Sequence, residues 1–388
     1  MPQDLQLKYG CNPHQPFASI EVPDPDTLQI LNGTPSFINV LDALNAWPLV
    51  RDLKRSTGLA AATSFKHVSP SGVAVEGDIS PEQLDVYDVA EEPASPVTNA
   101  YLRAREADPK SSFGDFVAVS EIVDVPLATF LKTVVSDGII APGFDSDALT
   151  ILRSKKGGRY IALQIDPDYE PAPRERRTVF GFDLEQDRNA RPFTGEDITK
   201  PVTGQLSDSA ELDLLVSLST LKYTQSNSIV CAVNGQTVGV GAGQQSRIDC
   251  TRIACQKADV WRLRHHPSIR SMKFKEGVKR QDRINWRVRV IEGNLDATEL
   301  TELEAVLRQD VPQQLDKDAR DTWMNTFHPL GLASDGFIPF ADNIREAHRH
   351  QVGFIAHPGG SVRDDVVASA CRELGITLVN TGVRAFHH

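Results

Sequence analysis

No run of roughly 18 apolar residues occurs in the chain, so nothing in it is long enough to cross a bilayer as a helix. The opening MPQDLQLK is polar and lacks the basic-then-apolar pattern of a secretory leader. Both absences point to the cytoplasm and to no membrane partner. Cysteine is scarce, with five in 388 residues, scattered and without a C-x-x-C. That excludes a disulfide framework. The four residues between Cys250 and Cys255 make a poor zinc pattern. Positive charge is in deficit: 41 Lys+Arg against 52 Asp+Glu leave a formal net charge of −11. Nucleic-acid binders usually show the opposite balance, so nucleic acid is not expected as a partner. No G-x-x-x-x-G-K-[ST] phosphate loop is present.

What is there is ordinary for a globular protein, 40% hydrophobic and 24% charged. The length predicts two domains. Residues 59–65 (LAAATSF) predict a buried strand leading into Lys66-His67, and Pro70-Ser71-Gly72 carries a turn signal. The acidic, proline-bearing stretch 77–96 predicts a partly irregular surface excursion. Ser95-Pro96 then opens a helix through 99–107. A strand and turn are expected at 134–142, and a boundary in the proline-rich, charged stretch 166–177. Apolar spacing predicts a helix over 208–219. Asn234-Gly235 predicts a two-residue hairpin turn between strands 228–233 and 237–240. Near the end, a strand at 352–356 precedes a helix capped by Ser361 and stopped by Gly375, with a strand at 376–379 after it. Strand–helix–strand units in both parts place the chain in the α/β class. No sequence repeat is evident, though two similarly built halves are compatible with this pattern.

Four features can carry chemistry, and each has a plain alternative. Lys66-His67 at a strand end offers an imidazole that accepts a proton near neutral pH, beside an ammonium that can stabilise an oxyanion. The alternative is a surface lysine and a hydrogen-bonded histidine. Gly239, Gly241 and Gly243 alternate in GVGAGQQSR, which lets a backbone approach a ligand or simply forms a glycine-rich strand. The stretch 247–280 concentrates Arg and Lys, enough to hold an anion, or to form a solvated face. Its Trp261 and Phe274 favour packing over stacking on a ligand. Arg384, in the closing RAFHH, can fork onto a phosphate or remain a surface arginine.

Taken together, nine segments resemble one family. They are LKYGCNPHQ (7–15), SFKHVSPSGVAV (64–75), SSFGDF (111–116), DGIIAPGF (137–144), LKYTQSNSIV (221–230), GAGQQSRIDCTR (241–252), LRHHP (263–267), ASDGFIPFADN (333–343) and RAFHH (384–388). In this order, and over essentially the whole chain, the sequence is similar to the AICAR transformylase domain usually found as the C-terminal part of the bifunctional purine enzyme. AICAR is aminoimidazole carboxamide ribonucleotide.

The resemblance implies two cytidine-deaminase-like α/β/α domains, 1–175 and 176–388, in an intertwined homodimer with active sites at its interface. The zinc signature of the deaminases, H-x-E with P-C-x-x-C, is absent, and no zinc is expected. The implied reaction passes a formyl group from 10-formyltetrahydrofolate to the 5-amino group of AICAR, giving FAICAR and tetrahydrofolate in IMP biosynthesis. His67 is the implied general base, Lys66 the transition-state stabiliser, and Asn227 orients the reacting groups. AICAR-binding positions map onto Lys8, Tyr9, Gly114, Asp137, Phe337 and Arg384. Folate-binding positions map onto Arg247, Asp342, Ser361 and Val362. Thr224, Ser226, Ser228 and Asp335 match a monovalent-cation (K+) cage. Two positions depart from the family pattern: Lys8 stands where Arg is usual, a point charge in place of a planar fork, and PGGS replaces a P-S-G-S type sequence. With Met1 just ahead of the transformylase motif, a cyclohydrolase segment is not expected, and a separate IMP cyclohydrolase is the expected downstream partner. The competing readings are a related formyltransferase with another donor and a non-catalytic regulator that binds AICAR or folate. The presence of both Lys66 and His67 weighs against the second.

Overall fold

The structure is a computed structural model and describes residues 2–91, 93, 95–313 and 315–388. Its strands in chain order are β1 Gln3–Gln6, β2 Ser19–Val22, β3 Leu28–Asn32, β4 Ala61–Phe65, β5 Pro70–Val75, β6 Asp115–Val119, β7 Ser136–Ala141 and β8 Ile161–Ile165. There follow β9 Arg174–Val179, β10 Phe182–Asp187, β11 Pro201–Thr203, β12 Ile229–Val233, β13 Gln236–Gly241, β14 Leu330–Ser334, β15 Val352–His357 and β16 Thr377–Asn380. Twelve of them form one mixed sheet in the order β11-β16-β15-β14-β12-β13-β5-β4-β6-β7-β8-β3.

That order contains a repeat. β3 to β8 recur, strand for strand, as β11 to β16: an edge strand, a tight hairpin, then three strands running β6-β7-β8 or β14-β15-β16 in parallel. The helices recur too. Phe37–Thr57 precedes the first hairpin as Asp208–Leu221 precedes the second. Pro96–Ala107 follows the first hairpin as Arg247–Arg264 follows the second. The halves join where β13 pairs with β5, through Gln236 and Ala74. Arg103 spans the seam, its guanidinium donating to Val75 O and Asn234 O.

Side-chain alternation places a helical layer on each face. In β12, Ile229 and Cys231 pack beneath helix Arg247–Arg264, while Val230 faces Leu214 and Leu218 of helix Asp208–Leu221. In the first half, Leu49 and Leu53 of Phe37–Thr57 cover Phe65, Val73 and Phe116, and Tyr101 and Leu127 cover the opposite face. Caps set the helix ends: Ser95 Oγ accepts the Thr98 N–H, Ser207 Oγ the Ala210 N–H, and Gly58 closes Phe37–Thr57 at φ 73°.

Most predicted elements are present, with two corrections. Pro70-Ser71-Gly72 opens strand β5; the turn lies at residues 66–69. Proline is tolerated as the first residue of a strand. The excursion 77–96 contains a short helix, Pro81–Val86, capped by Ser80; Glu92 and Ala94 lie outside the described residues. Ser361 does not cap the last helix, which begins at Asp364 with Arg363 at its N-cap. Instead the Asp364 carboxylate turns back to accept the N–H groups of Gly360 and Ser361. Hairpin β9–β10 stands outside the sheet, exposed along its whole length, with Phe180 at 96%. No helix among the described residues is long and apolar enough to cross a membrane.

Candidate active site

β4 ends at Phe65, and the chain reverses within two residues. Lys66 N–H donates to Ser69 O at 2.9 Å and Ser69 N–H to Lys66 O at 3.3 Å, leaving His67 and Val68 at the turn's centre with φ of 55° and 57°. Two positive φ values in a two-residue hairpin loop are the pattern of a type I′ turn, which favours Asn-Gly. A β-branched residue there is a conformational outlier. Residues held in such a region cost about 1–3 kcal/mol each and persist where their surroundings hold them. Asp42, on helix Phe37–Thr57, supplies such a hold, its Oδ1 accepting the Val68 N–H at 2.7 Å. Burial pushes the Asp42 carboxyl up, and the facing N–H groups of Val68 and His67 offset part of that rise. The His67 side chain is exposed.

Lys66 points at the SSFGDF loop, its Nζ donating to Phe113 O at 2.6 Å beside Gly114 at φ 77°. The loop is fixed from beneath by Asp115, which is fully buried. Its carboxylate takes Arg105 Nη1 at 2.9 Å, Tyr101 OH at 2.9 Å and Ser64 Oγ at 2.7 Å. Ser64 lies on β4 just ahead of Lys66, so one buried hub sets both the strand end and the loop. Asp137, on β7, pairs with Lys156 at 2.5 Å and lies within electrostatic range of Asp42. Lys8 N–H donates to Pro35 O, and Phe37 N–H to Tyr9 O, which holds the opening motif at the start of the helix bearing Asp42.

A second group forms around Arg247, at the first turn of helix Arg247–Arg264. Nη2 donates to Asn227 Oδ1 at 2.7 Å and Nη1 to Ser228 O at 3.0 Å and to the Asp335 carboxylate. Asp335 also accepts Ser226 Oγ at 2.6 Å and Ser228 N–H at 3.0 Å. The C-terminal tail is tied in: Ala385 N–H donates to Asp335 O, and Ser226 and His387 exchange hydrogen bonds. Arg384 is exposed, its guanidinium 4.6 Å from the Phe386 ring centroid. A side chain on Gly336 would strike Phe386 and Arg247, so the backbone just ahead of half-exposed Phe337 lies against both. Thr251 Oγ1 donates to Asn343 Oδ1, bringing Asp342 to the same helix. The Arg363 guanidinium covers the Phe340 ring at 5.0 Å and so brings in Ser361 and Val362. The result is a charge-balanced Arg247–Asp335 centre, with Phe337, Phe340, Val362 and Phe386 exposed on the segments these contacts link to it.

Among the four oxygen residues matched to a cation, Ser228 Oγ is buried without a hydrogen-bond partner. Thr224 Oγ1 donates to Thr220 O, and Asp335 is neutralised by Arg247. The two groups meet where Gln225 N–H donates to Ser69 Oγ at 3.3 Å. Among the described residues no hydrogen bond or ion pair joins the Lys66 or His67 side chain to Asn227, Arg247 or Arg384.

Two sequence features resolve towards packing. A Cβ on Gly239 would lie 1.9 Å from Ala254 O, and one on Gly241 2.4 Å from Cys250 O, so these glycines let helix Arg247–Arg264 close onto β13. The basic stretch is largely consumed internally. Arg264 pairs with Glu106, Arg280 with Glu106, Lys257 with Asp108, Arg270 with Asp85, and buried Arg262 donates to His328 O. Burial, with Arg264 beside it, pushes His265 down to about 3. Trp261 is in the core, and Phe274 packs against a neighbouring cluster. A cavity of about 590 Å³ between residues 107–110 and helices Arg247–Arg264 and Arg280–Glu292 contains none of the site residues.

The sequence model of the AICARFT/IMPCHase bienzyme family matches residues 1–257. The chain is similar to bifunctional purine biosynthesis protein PurH of Magnetococcus marinus (31% identical over 98% of this chain), Roseobacter denitrificans (30% over 98%) and Synechococcus sp. (31% over 100%). In each case it spans 59% of the relative's length.

Proposed function

We propose, from the premise that the chain belongs to the AICARFT/IMPCHase bienzyme family, that it transfers a formyl group from 10-formyltetrahydrofolate to AICAR in purine biosynthesis. The observation that carries this reading is the His67 turn. An exposed imidazole is held on a backbone its own residues disfavour, next to an ammonium fixed over the SSFGDF loop. Strain maintained at one exposed histidine suits a reacting group.

The 5-amino group of AICAR is a poor nucleophile because its lone pair is delocalised into the imidazole and carboxamide. His67 takes its proton as the new C–N bond forms at the formyl carbon. Lys66 stabilises the oxyanion of the tetrahedral intermediate. Collapse re-forms the carbonyl and breaks the bond to the folate nitrogen, which leaves with a proton as tetrahydrofolate. Lys8, Tyr9, Gly114, Asp137, Phe337 and Arg384 are proposed to hold the nucleotide. Arg247, Asp342, Ser361 and Val362 are proposed to face the folate. Asn227, clamped by Arg247, orients the reacting groups.

Two groups whose reacting side chains share no hydrogen bond among the described residues, yet serve one reaction, are accounted for if each site draws on both chains of a homodimer. The exposed β9–β10 hairpin supports that arrangement, because an isolated hairpin carrying Val179, Phe180, Phe182 and Leu184 is marginally stable in water until covered. A monovalent cation, if bound, would be held by Ser228 Oγ, Thr224, Ser226 and carbonyl oxygens, with Asp335 already committed to Arg247; it would order the loop that carries Asn227. A cyclohydrolase acting on FAICAR is the proposed downstream activity. The reading is tested by absorbance, following tetrahydrofolate release from 10-formyltetrahydrofolate with and without AICAR. AICAR-dependent release is expected. Its absence, with AICAR still bound by calorimetry, would leave a binding role or another donor.

A further inference from the structure

The two halves of the fold carry the same turn at the same place with different residues. In the second half, Asn234 (φ 52°) and Gly235 (φ 71°) join β12 to β13. In the first, His67 (φ 55°) and Val68 (φ 57°) join β4 to β5. Asn-Gly adopts this conformation readily; His-Val does not. Each turn is met by an aspartate from the helix that precedes its hairpin. Asp213 Oδ1 accepts the Gly235 N–H at 2.7 Å, and Asp42 Oδ1 accepts the Val68 N–H at 2.7 Å. Both carboxylates also face the N–H of the turn's first central residue, Asn234 or His67. Successive N–H groups in left-handed backbone converge into an anion-holding concavity, and here the anion is supplied by the protein.

The same clamp therefore serves two purposes. Around Asn234-Gly235 it secures a turn that would form without it. Around His67-Val68 it is the contact that makes an unfavourable turn persist. We propose that Asp42 is a positioning residue for the base: by accepting the Val68 N–H it holds the turn that projects His67 from the strand end. This rests on the reading of His67 as the base. Asn at position 42 would keep one acceptor but set an amide N–H against the second N–H donor, so the clamp would fail without loss of side-chain volume.

The test compares three variants by steady-state kinetics. Asp42→Asn is expected to lower kcat by about 10–100-fold with the KM for AICAR almost unchanged, since the base is misplaced while nucleotide contacts remain. Adding Val68→Gly removes the Cβ that opposes the left-handed backbone, and should recover most of that loss. Asp213→Asn, the equivalent change in the other half, should retain wild-type kcat. Unchanged turnover in Asp42→Asn, or a loss that Val68→Gly does not recover, would overturn the proposal. A wild-type protein with no AICAR-dependent release would sink the functional reading instead, and the clamp is then read by hydrogen exchange alone. Exchange of the peptide covering residues 66–75 that speeds up in Asp42→Asn and slows again in the double variant supports the clamp. Equal exchange in all three proteins overturns it.

Discussion

Replacing Asp213 by Asn should change how stability responds to pH. The carboxyl is 4% exposed and takes the Gly235 N–H at 2.7 Å, and the nearby Arg103 guanidinium offsets part of the cost of burying it. Burial outweighs that guanidinium and the N–H groups of Gly235 and Asn234, and pushes the carboxyl up to about 6 from an ordinary 3.8. A group raised on folding contributes stability that is fully present below the unfolded value and lost as pH rises through the folded one. For Asp213 that window runs from about pH 4 to somewhat above 6, and the loss across it is about 3 kcal/mol, from 1.36 kcal/mol per pH unit of displacement. Asn does not titrate, so Asp213→Asn removes this slope whatever its constant offset. Urea titrations of both proteins between pH 4 and pH 8 should show the variant gaining about 3 kcal/mol on the wild type across the window. A difference independent of pH would refute the assignment of a buried carboxyl raised by burial at the second turn.

Two further predictions concern what supports the site. Asp115→Ala leaves the Arg105 guanidinium buried without its counter-ion and should destabilise the fold by about 3–5 kcal/mol, measured by denaturant titration; a loss under about 1 kcal/mol would show that the hub is not what fixes β4 to the SSFGDF loop. Gly239→Ala places a methyl where Ala254 O already lies, and should cost about 1–3 kcal/mol by the same assay. A neutral result would restore the reading of Gly239 as room for a ligand.

Where residue type and backbone demand agreed, the sequence was easily interpreted. Asn234-Gly235 announces its turn, and Ser95-Pro96 its helix start, because both fit the local geometry they adopt. At the base the two disagree. Pro70-Ser71-Gly72 has turn chemistry and forms a strand, while His67-Val68 has strand chemistry and forms the turn. A local rule that fails at one point is expected at a functional site, yet no linear pattern reveals Asp42, which acts only because helix Phe37–Thr57 packs across β4 and β5. The alternating glycines illustrate the same limit. Their spacing allows a ligand loop or a close helix, and only the position of Ala254 decides. The basic stretch 247–280 has the composition of an anion site, but Glu106, Asp108 and Asp85, distant in sequence, lie opposite it. The repeat of six strands leaves isolated identities, the clamp aspartates Asp42 and Asp213 and the glycines Gly72 and Gly239 that lie against Ala104 O and Ala254 O, too scattered to read as a repeat before the fold aligns them.

If His67 is the base of a formyl transfer to AICAR, its removal must slow the chemistry and leave the fold intact. The most direct measurement is tetrahydrofolate release by wild-type protein and by His67→Ala, at saturating AICAR and 10-formyltetrahydrofolate, with folding checked by circular dichroism. AICAR-dependent release is expected in the wild type, with a kcat lower by about 10²–10⁴-fold in the variant, the usual range for a lost general base. Near-normal turnover in a correctly folded His67→Ala would contradict it.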